Sequence, residues 1–231
     1  MKQRLQNLCD SRVTALIILQ IVPLIPTLIT VCTNFSVAAL IAFLIAIAIA
    51  LWLISGLVKV QKGALEAGTN TIRRFMKFLY VLVWILVALG IIRSVILIIG
   101  LLSVNNMNSN KEVTFLTLFI IGLIAFLVYE LLAVRALKNT SRRAHEIAIG
   151  TEYVSRQGKL PEVYCIIEII FSLLSLFNFF IPEFFGAVFE LEYVPIPFNV
   201  SFTSLLNTAL TIIRAIISYS LLCDFRKAVN E

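Results

Sequence analysis

From Val13 to Val58 the chain is apolar apart from a few hydroxyls, Gln20 and Asn34. At a rise of about 1.5 Å per residue, this run is about twice the length one helix needs to cross a hydrocarbon core of about 30 Å. It therefore predicts a helical hairpin. The polar cluster Thr33-Asn34-Ser36 near its middle marks the turn between helix 1, residues 13–33, and helix 2, residues 36–58. Four more apolar runs follow, at residues 79–104, 113–134, 163–185 and 201–223. Lipid offers no partner for an open backbone group, so runs of this length cross as helices. The expectation is an all-α, polytopic integral membrane protein with six transmembrane helices arranged as three hairpins, and residues 1–231 form a single domain. Residues 59–67 and 133–149 lack Pro and are rich in good helix formers, which predicts that helices 2 and 4 continue beyond the membrane.

Charge then orients the bundle. Of the 19 Lys and Arg residues, 16 lie in segments on one side of the six runs, and only Lys111 lies on the other. The N-terminal tail is net positive through Lys2, Arg4 and Arg12, and so are the segments 59–77 and 133–162. The 103–112 loop is neutral, and the 183–198 loop is acidic through Glu183, Glu190 and Glu192. The positive-inside rule places the basic segments and both termini in the cytosol and the turns at 33–36, 105–111 and 186–198 outside. The same basic inner rim, with its Arg73-Arg74 and Arg142-Arg143 pairs, suits anionic lipid.

Composition narrows the class. The chain is 60% hydrophobic and only 14% charged, against about 25% charged in ordinary domains, and its mean hydropathy is +1.00. A soluble globular domain and a disordered chain are both excluded. The first run extends past the length of a signal-peptide core with no small-residue cleavage site after it, so it reads as a retained helix. Cys9, Cys32, Cys165 and Cys223 show neither a close pair nor a zinc-ligand spacing, and Cys9, Cys165 and Cys223, near the inner interface, read as small buried thiols. The sequons at Asn34 and Asn199 crowd the membrane, where glycosylation is not expected.

Ionisable groups inside spans cost about 2.5–3.5 kcal/mol each at mid-helix and usually face a protein interior or water. Arg93, Glu168 and Arg214 lie within spans, and Glu130 lies near an inner end. Counted at 1.5 Å per residue from the inner ends, Glu168 lies about 8 Å deep, Gln20 about 10 Å and Arg214 about 13 Å. A polar layer of Gln20, Glu168 and Arg214 is therefore expected in the inner half, with Glu168 and Arg214 as an ion pair. Arg93 is deeper, about 21 Å in, and shares its level with Asn178 and Asn207, which suggests a second, outer layer. The alternative is that Arg93 snorkels to the outer headgroups and that these polar groups are interhelical glue. Pro23 and Pro26 lie mid-span in helix 1, close in depth to Gln20. Each removes a backbone donor, which predicts a kink with the carbonyls of Leu19 and Val22 freed.

No catalytic signature is present. There is no His-Glu-x-x-His, no matched carboxylate pair within the spans and no Gly-rich phosphate loop. The single histidine, His145, lies in a basic linker and reads as solvated. The expectation is a non-enzyme without cofactor, metal or nucleic-acid partner, in the plasma membrane of a bacterium. Two functions fit. The first is an accessory or scaffold subunit that binds the bilayer and another membrane protein or a second copy of itself. The second is a small permease or channel-like carrier in which Gln20, Arg93, Glu168, Asn178, Asn207 and Arg214 line a path for a small, anionic ligand.

Overall fold

The computed structural model describes residues 2–8, 11–33, 36–103, 110–151, 156–176 and 202–230, and all regular structure among them is helical. In chain order the helices are α1 Lys2–Asn7, α2 Ser11–Ile21, α3 Leu24–Thr33, α4 Val37–Gln61, α5 Leu65–Ser103, α6 Asn110–Ala148, α7 Leu160–Leu176 and α8 Phe202–Asn230. Within α4, α5, α6 and α8, four segments are long and apolar enough to cross a membrane: Val37–Gln61, Leu65–Arg93, Ile120–Ala148 and Leu205–Asn230. The protein is thus an all-helical chain of membrane-protein character. The outer turns expected from the sequence, together with Asn178, fall on residues 34–35, 104–109 and 177–201, outside the described residues.

Helix 1 is interrupted. α2 ends at Ile21, a two-residue turn at Val22-Pro23 follows, and α3 begins at Leu24. Pro23 has no N–H for the helical ladder, which breaks there. The carbonyl of Val22 is not left free, as it accepts from the Ile25 N–H at 3.2 Å. Pro26 causes no second break. It is the third residue of α3, where a backbone N–H has no partner within the helix in any case.

α4 opens on Ser36, whose hydroxyl accepts from the Ala39 N–H at 3.1 Å as an N-cap. It ends at Gln61. Gly63 takes φ +82, and the N–H groups of Lys62, Gly63 and Ala64 close back onto Val58, Val60 and Lys59. This overturns the expectation that helix 2 runs on through residue 67. A left-handed residue stops an α-helix, and glycine adopts that conformation without steric cost. The chain turns within residues 62–64, and the extension beyond the apolar run belongs to the first turns of α5. α4 and α5 then pack very closely at this end. A Cβ placed on Gly68 would stand 2.7 Å from the Val60 nitrogen and 2.9 Å from the Gly56 carbonyl oxygen, and one on Gly56 would meet Ile72 Cγ1 at 2.7 Å. Small residues at a helix crossing allow this approach.

The helices close into a ring. The α2–α3 unit packs on α4, α4 on α5, α5 on α6, α6 on α7 and α7 on α8, and α8 returns to α2. α5 and α6 form the longest pair, each with 39 residues. At about 58 Å each, they exceed the hydrocarbon core, and the start of α5 meets the end of α6 through Thr69 and His145. At that end α1 lies on the tips of α6 and α8, with Leu5 and Leu8 against a small core of Ile147, Phe225 and Val229. The N-terminal helix, the 62–64 turn, the segment following α6 and the end of α8 therefore all meet at one end of the bundle. Outward-facing surfaces are apolar. Even in α4 only 11% of the most hydropathic window is buried, leaving most of its side chains to the surroundings.

Candidate intramembrane cavity and its polar surround

The ring encloses a cavity of about 360 Å³ to which every one of its six units contributes: Gln20 from α2, Leu53 from α4, Phe75 from α5, Leu137 from α6, Glu168 from α7 and Arg214 from α8. Its walls are mostly apolar, and its polar groups come together on one side. Arg214 Nη2 donates to Glu168 Oε1 at 3.0 Å. Neither side chain is fully buried, with 38% of Arg214 and 21% of Glu168 exposed, so the pair keeps donors and an acceptor free toward the cavity. Gln20 and Ser218 complete the polar lining. Gln20 lies on the last turn of α2, directly before the break at Val22-Pro23. Ile72, Met76 and Leu137 divide this cavity from a second, almost wholly apolar one of about 250 Å³ that reaches Leu5 and Leu8 of α1.

The structure thus brings Gln20, Glu168 and Arg214 to one cavity, and it does not bring Arg93 and Asn207 there. Both of the latter are exposed on the outside of the bundle. Arg93 makes no hydrogen bond or ion pair with any described residue and stands among exposed apolar neighbours, Leu89, Ile92 and Ile96. Depth alone placed Arg93 and Asn207 together. Helix rotation separates them, because α5 packs on α4 and α6 whereas α8 packs on α7 and α2.

Below the cavity, the inner end is held by polar contacts that sequence reasoning missed. Gln157 is buried, although it lies between two helices. Its side-chain oxygen accepts from Arg143 Nη1 at 2.6 Å, and its Nε2 donates to Thr140 Oγ1 at 2.6 Å. Its backbone N–H donates to Asn230 Oδ1 at 2.9 Å, and its carbonyl accepts from Asn230 Nδ2 at 3.2 Å. One residue therefore ties α6, the segment before α7 and the end of α8 together. One ion pair joins α8 to α2, Arg12 to Asp224 at 2.6 Å with a further bond to Ser220, and another joins α8 to α7, Arg226 to the buried Glu162 at 2.5 Å. Gln61 donates to Thr14 at 2.6 Å. Polar residues in a loop carry no periodic signal, so nothing in the sequence singled out Gln157.

His145 corrects another expectation. It is buried between α6 and α5, with Nδ1 at 3.2 Å from Thr69 Oγ1. Thr69 in turn donates to the Leu65 carbonyl at 2.6 Å, so a neutral ring that accepts at Nδ1 competes with that bond. Burial, and then the positive charge of Arg73, hold the imidazole below its ordinary range. A signal for this burial was present. Ala133, Ala136, Thr140, Ser141, His145 and Ala148 recur at three- and four-residue spacing and are all buried, which is the small-residue face of a helix packed tightly on a neighbour. Lys138, one position off that face, lies 3.7 Å over the ring of Tyr80 on α5.

Among the described residues no group of three or more His, Cys, Asp or Glu side chains could hold a metal ion. Compared with known protein families, with curated proteins and with solved structures, the chain matches none.

Proposed function

We propose that this chain spans the membrane six times with both termini in the cytosol, in the plasma membrane of a bacterium, and that it works as a small permease or channel-like carrier with a solute site in its inner half. The carrying observation is the cavity of about 360 Å³ lined by all six units of the ring, with Gln20, Glu168 and Arg214 as its polar side. An ion pair that only joined two helices would be better buried than this one. Partial exposure toward a shared space is what a site for a polar solute requires. Gln20, which lines the cavity, lies directly before the interruption of helix 1, and broken helices border solute sites in many transporters. The inner gathering of basic segments and termini agrees with the positive-inside orientation.

The test is water access. In a chain stripped of its four cysteines, a cysteine at Ser218 should react with a membrane-impermeant methanethiosulfonate in inside-out vesicles, and one at the outward-facing Ile216 should not. Equal inertness at both positions would mean a dry cavity, and the carrier reading would fail. Orientation is tested in the same background: a cysteine at Asn108 should react in intact cells, and one at the exposed Lys62 only in inside-out vesicles.

The accessory-subunit reading keeps one specific support. Arg93 has no partner among the described residues and stands on an apolar outer surface, and an acidic group on a transmembrane helix of a partner would supply its countercharge.

A further inference from the structure

A third cavity, of about 230 Å³, opens between α6 and α7. Its walls are aromatic. Phe126 and Phe171 meet edge to face at a centroid distance of 6.1 Å, Tyr129 and Tyr164 stack at 5.7 Å, and Tyr129 also reaches Phe171 at 6.2 Å. The Tyr129 hydroxyl is held by the Tyr164 carbonyl at 3.2 Å, which fixes the rings against each other. Phe126 and Phe171 are 43% and 50% exposed, so the mouth faces the surroundings of the bundle at a depth of about 12 Å from the inner end of the apolar runs. Two carboxylates, Glu130 and Glu168, line this space.

Their charges are not balanced. Glu168 is paired with Arg214 on the side of the central cavity. Among the described residues Glu130 has no hydrogen-bond or ion-pair partner, and no Lys or Arg lines the lateral cavity. Arg214 thus faces one of the two carboxylates, and among the described residues no basic side chain faces the other. Tyr164 and Glu168 line both cavities, so they form the wall between the opening in the bundle's side and the central space. An anion is disfavoured here. A cation with an apolar body is matched at every point: the carboxylate of Glu130 meets its charge, the ring faces of Tyr129 and Tyr164 attract it through their quadrupoles, and Phe126 and Phe171 cover its hydrocarbon part.

We infer that the pocket between α6 and α7 binds lipophilic organic cations, amines or quaternary ammonium compounds that partition into the inner leaflet, with Glu130 as the charge-recognising residue and Tyr164 and Glu168 as the wall through which the central cavity is reached. This rests on the carrier reading for its second half, the passage inward; binding at the lateral pocket does not. It replaces the anionic ligand suggested by the arginines, because Arg214 is already neutralised and Arg93 faces away.

The probe is benzyltrimethylammonium, with its uncharged isostere neopentylbenzene as control, titrated into the purified full chain in lipid nanodiscs. Saturable binding of the cation is expected, with affinity reduced about tenfold or more in Glu130→Gln and restored to within a few-fold in Glu130→Asp, which keeps the charge. Thermal melting of each variant establishes that it is folded, and Tyr129→Leu, which leaves both carboxylates in place, should weaken binding several-fold through the lost ring. Equal binding of the neutral isostere, unchanged affinity in Glu130→Gln, or no saturable binding to the wild-type chain would each overturn the proposal. The labelling of a cysteine at Ser218 reads the central cavity independently. Labelling without cation binding would sink this inference alone, whereas cation binding without labelling would sink the carrier reading and leave the lateral site.

Discussion

The inner end of the bundle and its outer half hold their polar residues in opposite ways. At the inner end, Gln157, Glu162, His145, Thr69 and Asn230 are drawn together into hydrogen bonds and ion pairs between different helices. In the outer half, the described polar residues Arg93 and Asn207 point away from the ring, and apolar side chains face the same surroundings. The difference follows from the solvent. Where helices leave the lipid, burial of Leu5, Ile147 and Phe225 draws on the hydrophobic effect, and polar groups caught in that core must be paired. Within lipid, helices gain nothing from hiding apolar surface, and only close packing and polar contacts orient them. The inner end is therefore the clamp of the fold, and the cavity with its Glu168–Arg214 pair lies at the border between the two regimes.

The clamped end is most sensitive at Gly68. Its Cβ position is filled by the backbone of α4, so Gly68→Ala should force the helices apart and destabilise the protein by about 2–3 kcal/mol, read as a loss of melting temperature in detergent. Gly63, whose added Cβ would meet nothing but whose φ is +82, should cost about 1 kcal/mol as Ala. Next is Gln157→Ala, which leaves an Arg143 donor without its acceptor and takes from the buried Thr140 hydroxyl its amide donor, although that hydroxyl still donates to the Ala136 carbonyl, and should cost about 2–3 kcal/mol. A change as mild as a surface-loop substitution would show that the clamp lies elsewhere.

The ion pair at the border should be weaker than a sealed one. Glu168→Gln and Arg214→Gln should each cost about 1–2 kcal/mol, below the range for fully buried pairs because the cavity partly screens them. The double substitution should cost less than the sum, and strict additivity would mean that the two groups do not interact. His145 gives a smaller, pH-dependent effect. Its folded-state pKa is lowered, so the unfolded chain binds the proton more readily. The resulting stability is present above the ordinary histidine range near pH 6.5 and is lost as pH falls below it. Melting between pH 7.5 and 5.5 should show this slope, and His145→Gln should flatten it.

Arg93 offers the smallest effect on stability and the sharpest test of the outer half. Arg93→Leu should leave the melting temperature within about 0.5 kcal/mol of wild type, as for an outward-facing side chain. If a partner helix supplies its countercharge, the mass of the particle extracted in mild detergent should fall in this variant. An unchanged mass would leave Arg93 to the lipid headgroups and remove the support for an accessory subunit.

Much of this architecture was written in the pattern of residues. Apolar runs as long as a bilayer requires specify helices because lipid leaves the backbone no alternative. Pro23 announced the break in helix 1, since the missing donor acts locally whatever surrounds it. Depth could also be counted along each helix, which was enough to bring Glu168 and Arg214 within reach. Rotation about the helix axis could not be counted. It is fixed by which faces interlock, such as Gly56 against Ile72 or Ala136 and Thr140 against α5, and these contacts join residues far apart in the chain. That is why Arg93 and Asn207, level in depth, face outward, and why His145, placed in a basic linker, lies buried. The sequence alone determined a helical chain of membrane-protein character and the order of its apolar runs, because those depend on composition and spacing within single segments. The ring order, the central cavity, the aromatic pocket beside Glu130 and the clamp at Gln157 were decided only in three dimensions, because each is made by side chains from several helices whose facing directions are set by packing against one another.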